Sequence, residues 1–248
     1  MLQSNNIILR NRRNFNFPII FGCLFLLFAV YYFSTTNVQP AYSQEYIFER
    51  QFGSAGTSLG EFSQPQGIAI DSSDNIYITS FTSLSNQIQK FTSNGTFITL
   101  WGSFGLGDGQ FINPGGIDTD SSDNVYVADF GENNNVQKFD INGNFIMKWG
   151  SAGTADGQFN SPDGIAIDSE GNVYVADSEN HRIQKFDSNG NFITKWGSMG
   201  SGDGQFRHPA SIAIDSEGNV YVADSDNDRI QVFKQVLKSS ASNPVPVS

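Results

Sequence analysis

Four near-copies of one segment, each about 47 residues long, dominate the chain and limit what it can fold into. Phe62, Phe111, Phe159 and Phe206 each end a Gly-Glu-Phe or Gly-Gln-Phe triplet, at spacings of 49, 48 and 47 residues. Each is followed by a Pro or a turn and then by GIAIDSSDNIYITS, GIDTDSSDNVYVAD, GIAIDSEGNVYVAD or SIAIDSEGNVYVAD. QIQKFTSNGTFITLWG, VQKFDINGNFIMKWG and RIQKFDSNGNFITKWG come next, while the fourth copy stops at RIQVFK. Apolar residues alternate on both sides of Asp/Asn/Gly turns, the pattern of two hairpins per copy. Each copy is therefore read as four strands, a to d.

Four-stranded units at this period predict an all-β chain folded as a β-propeller, which hides its sheet edges by packing blades radially. Tyr77, Tyr126, Tyr174 and Tyr221 recur on strand b, and Phe91, Phe139, Phe186 and Phe233 on strand c. Large rings at equivalent places are read as packing between blades. The fourth copy lacks strand d, and YIFERQFG resembles NFITKWG, with Phe48 for Phe192 and Phe52 for Trp196. An N-terminal strand is thus expected to complete the last blade and close a four-bladed ring. An open arc, or two chains sharing an eight-bladed ring as a homodimer, stays open at this point.

Residues 44–237 form the propeller in this reading, and 238–248, rich in Ser and Pro, a disordered tail. Residues 1–43 are a signal peptide or membrane anchor with an apolar core at 18–33, a single hydrophobic helix preceded by Arg10, Arg12 and Arg13. Sixteen residues span roughly 24 Å as a helix, slightly short of a ~30 Å hydrocarbon core. The positive flank stays inside, so both alternatives put the propeller outside the cytoplasmic membrane, secreted or held through the N-terminal segment. Cys23, the one cysteine, lies in that segment and excludes an internal disulfide or a zinc finger. Residues 44–248 carry 25 acids against 11 bases, a balance of −14 that repels phosphate backbones and excludes nucleic acid as a partner.

The b–c loops hold the residues that look chemical. Asp177 with Arg182, and Asp224 with Arg229, are expected to pair across the base of a hairpin, a structural role. Blade two keeps Asp129 but is read with Val136 at the Arg position, and blade one has Ser80 and Ile88. His181 is aligned with Asp228, Asn135 and Gln87 as a polar loop position. The second His, His208, stands in the d–a loop entering blade four, which shares a face with the b–c loops. A divalent metal held by His181, His208, Asp224 and Asp228 is the alternative reading of this face, serving a lyase or hydrolase. Otherwise no cofactor is expected. Asp224 to Asp228 fails as a calcium loop, with Arg229 and Gln235 where Gly and Glu are needed.

The residues that break the repeat are candidates for binding. Three of the sixteen Phe beyond the apolar segment fall outside repeat positions: Phe81, Phe104 and Phe130. All belong to loops of one face, with Leu84 and Leu106 close in sequence. Clustered apolar loop residues predict a contact surface, unless the loops fold over and bury them.

The recurring Pro-x-Gly-Ile-Ala-Ile-Asp, Asn-Val-Tyr-Val-Ala-Asp and Gly-Gln-Phe, with Asn-His-Arg-Ile at Asn180 to Ile183, resemble the NHL repeat over about residues 46–234. The resemblance implies a propeller of four-stranded blades. Family propellers commonly have six blades, and this chain has four. Zinc-dependent lyases occur among such propellers, but two His are too few to carry their site over. The expectation is a non-enzymatic, extracytoplasmic scaffold that binds a protein or a cell-surface glycan.

Overall fold

The computed structural model describes residues 47–81 and 86–236; the apolar segment, Leu84 and the Ser/Pro tail lie outside the described residues. Among the described residues no helix is long and apolar enough to cross a membrane. They form fifteen strands and two 3-10 turns. Blade one consists of β1 (Pro65–Ile70), β2 (Ile76–Ser80), β3 (Gln87–Phe91) and β4 (Phe97–Trp101). Blade two is β5 (Asn113–Thr119), β6 (Val125–Phe130), β7 (Asn135–Phe139) and β8 (Phe145–Trp149). Blade three is β9 (Pro162–Ile167), β10 (Val173–Asp177), β11 (Arg182–Phe186) and β12 (Phe192–Trp196). Blade four has three strands, β13 (Pro209–Ile214), β14 (Val220–Asp224) and β15 (Arg229–Phe233). Each sheet is an antiparallel meander in chain order, the four-blade propeller the repeats predicted.

Strand a begins at or just before a Pro whose missing N–H is tolerated there, and a bulge follows at once. The a–b turn is built by one carboxylate. Asp71 Oδ1 accepts the backbone N–H groups of Ser73 and Asn75, and Oδ2 accepts the Asn75 amide and the Tyr77 hydroxyl at 2.9 Å each. Asp120, Asp168 and Asp215 repeat the arrangement with Tyr126, Tyr174 and Tyr221. Burial pushes the Asp71 carboxyl up, but the hydrogen bonds from Asn75, Tyr77 and Ser73 together outweigh it and hold the group at about 2. Lys90, Lys138 and Lys185 lie over the Tyr rings at 4.8, 4.8 and 4.7 Å and pair with the same Asp residues. Blade four has Val232 at that position.

The core lies between blades. Ala166, Tyr174, Ala176 and Ile183 of blade three pack on Phe206, Ile212, Val220 and Val222 of blade four, and the same pattern joins blades one to two and two to three. The Trp ending each complete blade packs on the next blade's strand-c Phe, as Trp101 on Phe139 at 5.9 Å and Trp196 on Phe233 at 5.6 Å. The inner strands approach closely. A Cβ on Gly164 would lie 2.6 Å from the Ala210 carbonyl oxygen, so only Gly fits there.

Among the described residues the expected closing strand is not formed. Phe52 packs on Phe91 at 5.1 Å and on Phe62, the contacts a preceding blade's strand d would make with blade one. Its segment does not pair with β15, and blade four remains three-stranded. Inner strands pack β1 on β5, β5 on β9 and β9 on β13, while blades one and four leave Ile68 65% and Ile230 63% exposed. The four blades form an open arc.

Candidate functional site

The b–c and d–a loops meet on one face and are fixed from beneath by buried polar groups. In blade three the chain leaves β10 through a 3-10 turn, Ser178–Asn180, closed by His181 in the left-handed region at φ 53°. Asp177 is fully buried below it. Its carboxylate accepts the Asn160 backbone N–H at 2.7 Å, the Asn180 amide, the Gln184 amide and Arg182 Nε. Arg182 also donates to the carbonyls of Thr154, Ala155 and Gln158 in the adjoining d–a loop. Asp224 and Arg229 repeat this in blade four, at 2.8 Å. Both pairs form, and their Arg side chains tie the b–c loop to the adjoining d–a loop of the same face.

Strand pairing corrects the sequence alignment of the other two blades. Asp177 faces Arg182, Asp129 faces Asn135 and Ser80 faces Gln87. The Arg position is therefore held by Asn135 and Gln87, not by Val136 and Ile88. The b–c loops of blades two and one are longer by one and two residues, and the Gln-Lys-Phe shared by the c strands of blades one to three gives the same register, with Val136 and Ile88 level with Ile183. His181 is matched by Asn134 rather than Asn135 in blade two, and by Asp228 in blade four; all three have positive φ. Asn and Asp tolerate that conformation because their short polar side chains bond locally, which explains the polar choice. His208 is likewise at φ 49°, matched by Gln64 and Ser161.

Asp129 has no Arg beside it. It accepts the backbone N–H groups of Ile112 and Asn113 and the Asn133 amide, yet burial pushes its carboxyl up to about 6. Asp224, with Arg229 alongside, is held below the usual carboxylate range, its hydrogen bonds outweighing the upward push of burial.

The two His do come together. Their ring centroids are 4.9 Å apart, and the His208 backbone N–H donates to His181 Nδ1 at 3.3 Å. His208 Nδ1 lies 2.5 Å from Asp226 Oδ2, and its Nε2 3.5 Å from Glu179 Oε2. The Asp226 hydrogen bond above all, and the Glu179 charge, raise the His208 pKa. Asp224 does not join them, since its oxygens serve Arg229, Asn227 and Gln231. Among the described residues no group of three His, Cys, Asp or Glu is arranged to hold a metal ion.

The aromatic candidates divide. Phe81 and Phe130 meet edge to face at 6.0 Å and half-bury each other, whereas Phe104 and Leu106 stand 59% and 57% exposed. The loop carrying them is pinned by Asn133, which donates to the Gly105 carbonyl, and by Lys148, which donates to that of Leu106. Sequence reasoning missed Met199, 66% exposed. It occupies the repeat position of Phe104, as the matching bridges Phe104↔Phe111 and Met199↔Phe206 demonstrate, and comparing the GSxG columns would have found it.

A family model for the NHL repeat matches residues 111–139, 159–186 and 206–233, the last three blades. No curated protein matches the chain. Among solved structures, a Bacteroides thetaiotaomicron protein of unknown function is similar with a TM-score of 0.53 at 19% identity, over 68% of this chain and 46% of that one. An auxiliary nutrient binding protein from the same organism gives 0.54 at 18%, over 71% and 49%. A streptogramin B lyase gives 0.52 at 16%, over 70% and 55%. The chain thus spans about half the length of these proteins, and the likeness at this identity is one of fold.

Proposed function

The chain is an NHL-repeat β-propeller protein, and we propose that it is a non-enzymatic binding scaffold acting outside the cytoplasmic membrane. The observation that carries this reading is the pair Phe104 and Leu106, exposed on a loop whose backbone is tied down by a part-buried hydrogen bond from Asn133 and an exposed one from Lys148. Exposed apolar side chains on a preorganised loop lose little entropy on binding and gain by leaving water. The partner is a protein or glycan of the cell surface. Three Arg ahead of an apolar segment support export, and the acidic balance directs the propeller away from nucleic acid and anionic lipid. The nutrient-binding role named for one structural neighbour belongs to that protein and is compatible with this reading.

The test is binding of the purified protein to intact cells, with and without protease or periodate treatment. Retention that Phe104→Ser with Leu106→Ser lowers at least tenfold, at unchanged melting temperature, is expected. The two treatments tell protein from glycan. Binding that ignores both substitutions overturns the assignment of the face.

A second reading, acid–base chemistry in a lyase or hydrolase, is favoured by one contact, His208 to Asp226. Asp226 orients the ring through Nδ1, and with Glu179 facing Nε2 the two carboxylates favour the protonated imidazolium, a donor rather than a free base. The sequence reading gave this role a metal held by His181 and His208; stoichiometric metal in the purified protein, lost in His208→Ala, would revive it.

A further inference from the structure

The two ends of the arc are unlike each other, and each is the counterpart of an interface already formed inside it. Blade four turns outward the surface that blades one to three bury on their next neighbour. Tyr221, Ile230 and Val232 are 37%, 63% and 56% exposed there, whereas Tyr174 and Ile183, the equivalents in blade three, are 4% and 0%. Blade one turns outward the surface that blades two to four bury on the preceding neighbour. Ile68 is 65% exposed, and its equivalent Ile117 is 6%. The strand-c Lys that would make the outward face of blade four polar is replaced by Val232.

A cavity of about 310 Å³ between blades three and four supplies an independent observation. Trp196, Lys185, Val220 and Phe233 line it. At the corresponding places the strand-d residues Phe145 and Phe192 pack into the cores between blades one and two and between blades two and three. Among the described residues blade four has no strand d and supplies no aromatic at that place. Phe48 precedes Phe52 by the spacing that separates Phe192 from Trp196.

We propose that the ends dock onto a second copy of this chain, head to tail, so that two four-bladed arcs close one eight-bladed ring. The outward face of blade four in one copy packs on blade one of the other. The segment holding Phe48 and Phe52 of that second copy lies along the free edge of β15 as the missing strand d, with Phe48 in the cavity. Edge pairing and apolar burial then coincide at two identical junctions. A second copy is the natural occupant because both complementary surfaces are on every copy and repeat an interface the protein already makes. One residue departs from that interface. Ser211 stands where Gly67 and Gly164 allow close approach of the next inner strand, so the junction is wider at its inner edge than those within the arc.

The test is the mass of the full chain by light scattering in detergent, with circular dichroism on the same samples. The expected result is twice the 27.2 kDa protomer less any cleaved segment. Ile230→Asp alone and Ile68→Asp alone each give folded protomers, because both residues are already in water within one arc. An equimolar mixture of the two variants recovers a dimer, since one of its two junctions is unmutated. Phe48→Ser weakens dimerisation at least tenfold, and Ser211→Gly strengthens it about threefold. A wild-type protomer at all concentrations, a dimer that survives Ile230→Asp, failure of the mixture to recover, or open-ended polymers would each overturn the proposal.

Discussion

Arg182 donates its Nε–H to Asp177 Oδ2 at 2.7 Å while its other N–H groups hold three carbonyls of the d–a loop. Both side chains are nearly inaccessible. Removing one partner leaves a buried charge without its counter-charge, at a cost of about 3–5 kcal/mol. Arg182→Met is therefore expected to lower the free energy of unfolding by that amount. Arg182→Lys restores little, because a single ammonium cannot reach four acceptors at once. Urea denaturation of the two variants checks this; rescue by Lys would show that charge alone suffices.

Asp129 makes the opposite case. With its carboxyl raised to about 6, the folded state holds the proton more tightly than the unfolded chain. Its contribution is therefore favourable at low pH and is lost as pH rises from about 4 through about 6, by on the order of 3 kcal/mol. Asn135, at the Arg position, has a buried side-chain oxygen without a hydrogen-bond partner. Asn135→Arg is expected to install the missing guanidinium, lower the Asp129 pKa and stabilise the protein at pH 7 by about 1–3 kcal/mol. The gain over wild type should grow between pH 4 and 7 in denaturation curves; a gain flat with pH would mean that Asp129 is not its source.

The blade was legible in the sequence because one pattern recurs four times and each copy corroborates the others. The Asp177–Arg182 pair was legible for the same reason, since a short hairpin fixes which residues face. The register of Asn135 and Gln87 was legible too, in the Gln-Lys-Phe shared by strand c of every complete blade, which sets Val136 and Ile88 level with Ile183; the alignment that put them level with Arg182 was out by one residue. That His181 and His208 share a face followed from strand order. Their reason for being polar, a left-handed backbone, appears only in the dihedral angles. Ring closure was the least legible feature: it depends on the angle between blades accumulated over the arc, which no single residue encodes. Phe81 and Phe130 are adjacent in space and 49 residues apart in sequence, so their mutual burial could be posed as an alternative but not decided.

That pair and Phe104 should respond differently to the same substitution. Phe130→Ser removes an edge-to-face contact and a half-buried ring, and is expected to cost about 1–3 kcal/mol. Phe104→Ser takes away a side chain already in water and should stay within about 0.5 kcal/mol of wild type. Thermal melts of the two single variants read the difference directly. Equal destabilisation would make Phe104 part of the core and remove it from the contact face.

The contact between His208 and Asp226 should be visible in a titration. Both groups are substantially exposed, so the effect is one of proton affinity rather than of fold stability. Asp226→Asn withdraws the leading cause of the raised His208 pKa, and Glu179→Gln a smaller one. The His208 ring resonance is expected to move to a lower midpoint in the first variant, by less in the second, and below both in the double variant. His181, whose Nδ1 accepts the His208 backbone N–H, serves as the internal comparison in the same spectra. A His208 midpoint unmoved by Asp226→Asn would show that the carboxylate does not hold the ring in solution, and the acid–base reading would lose the observation that favours it.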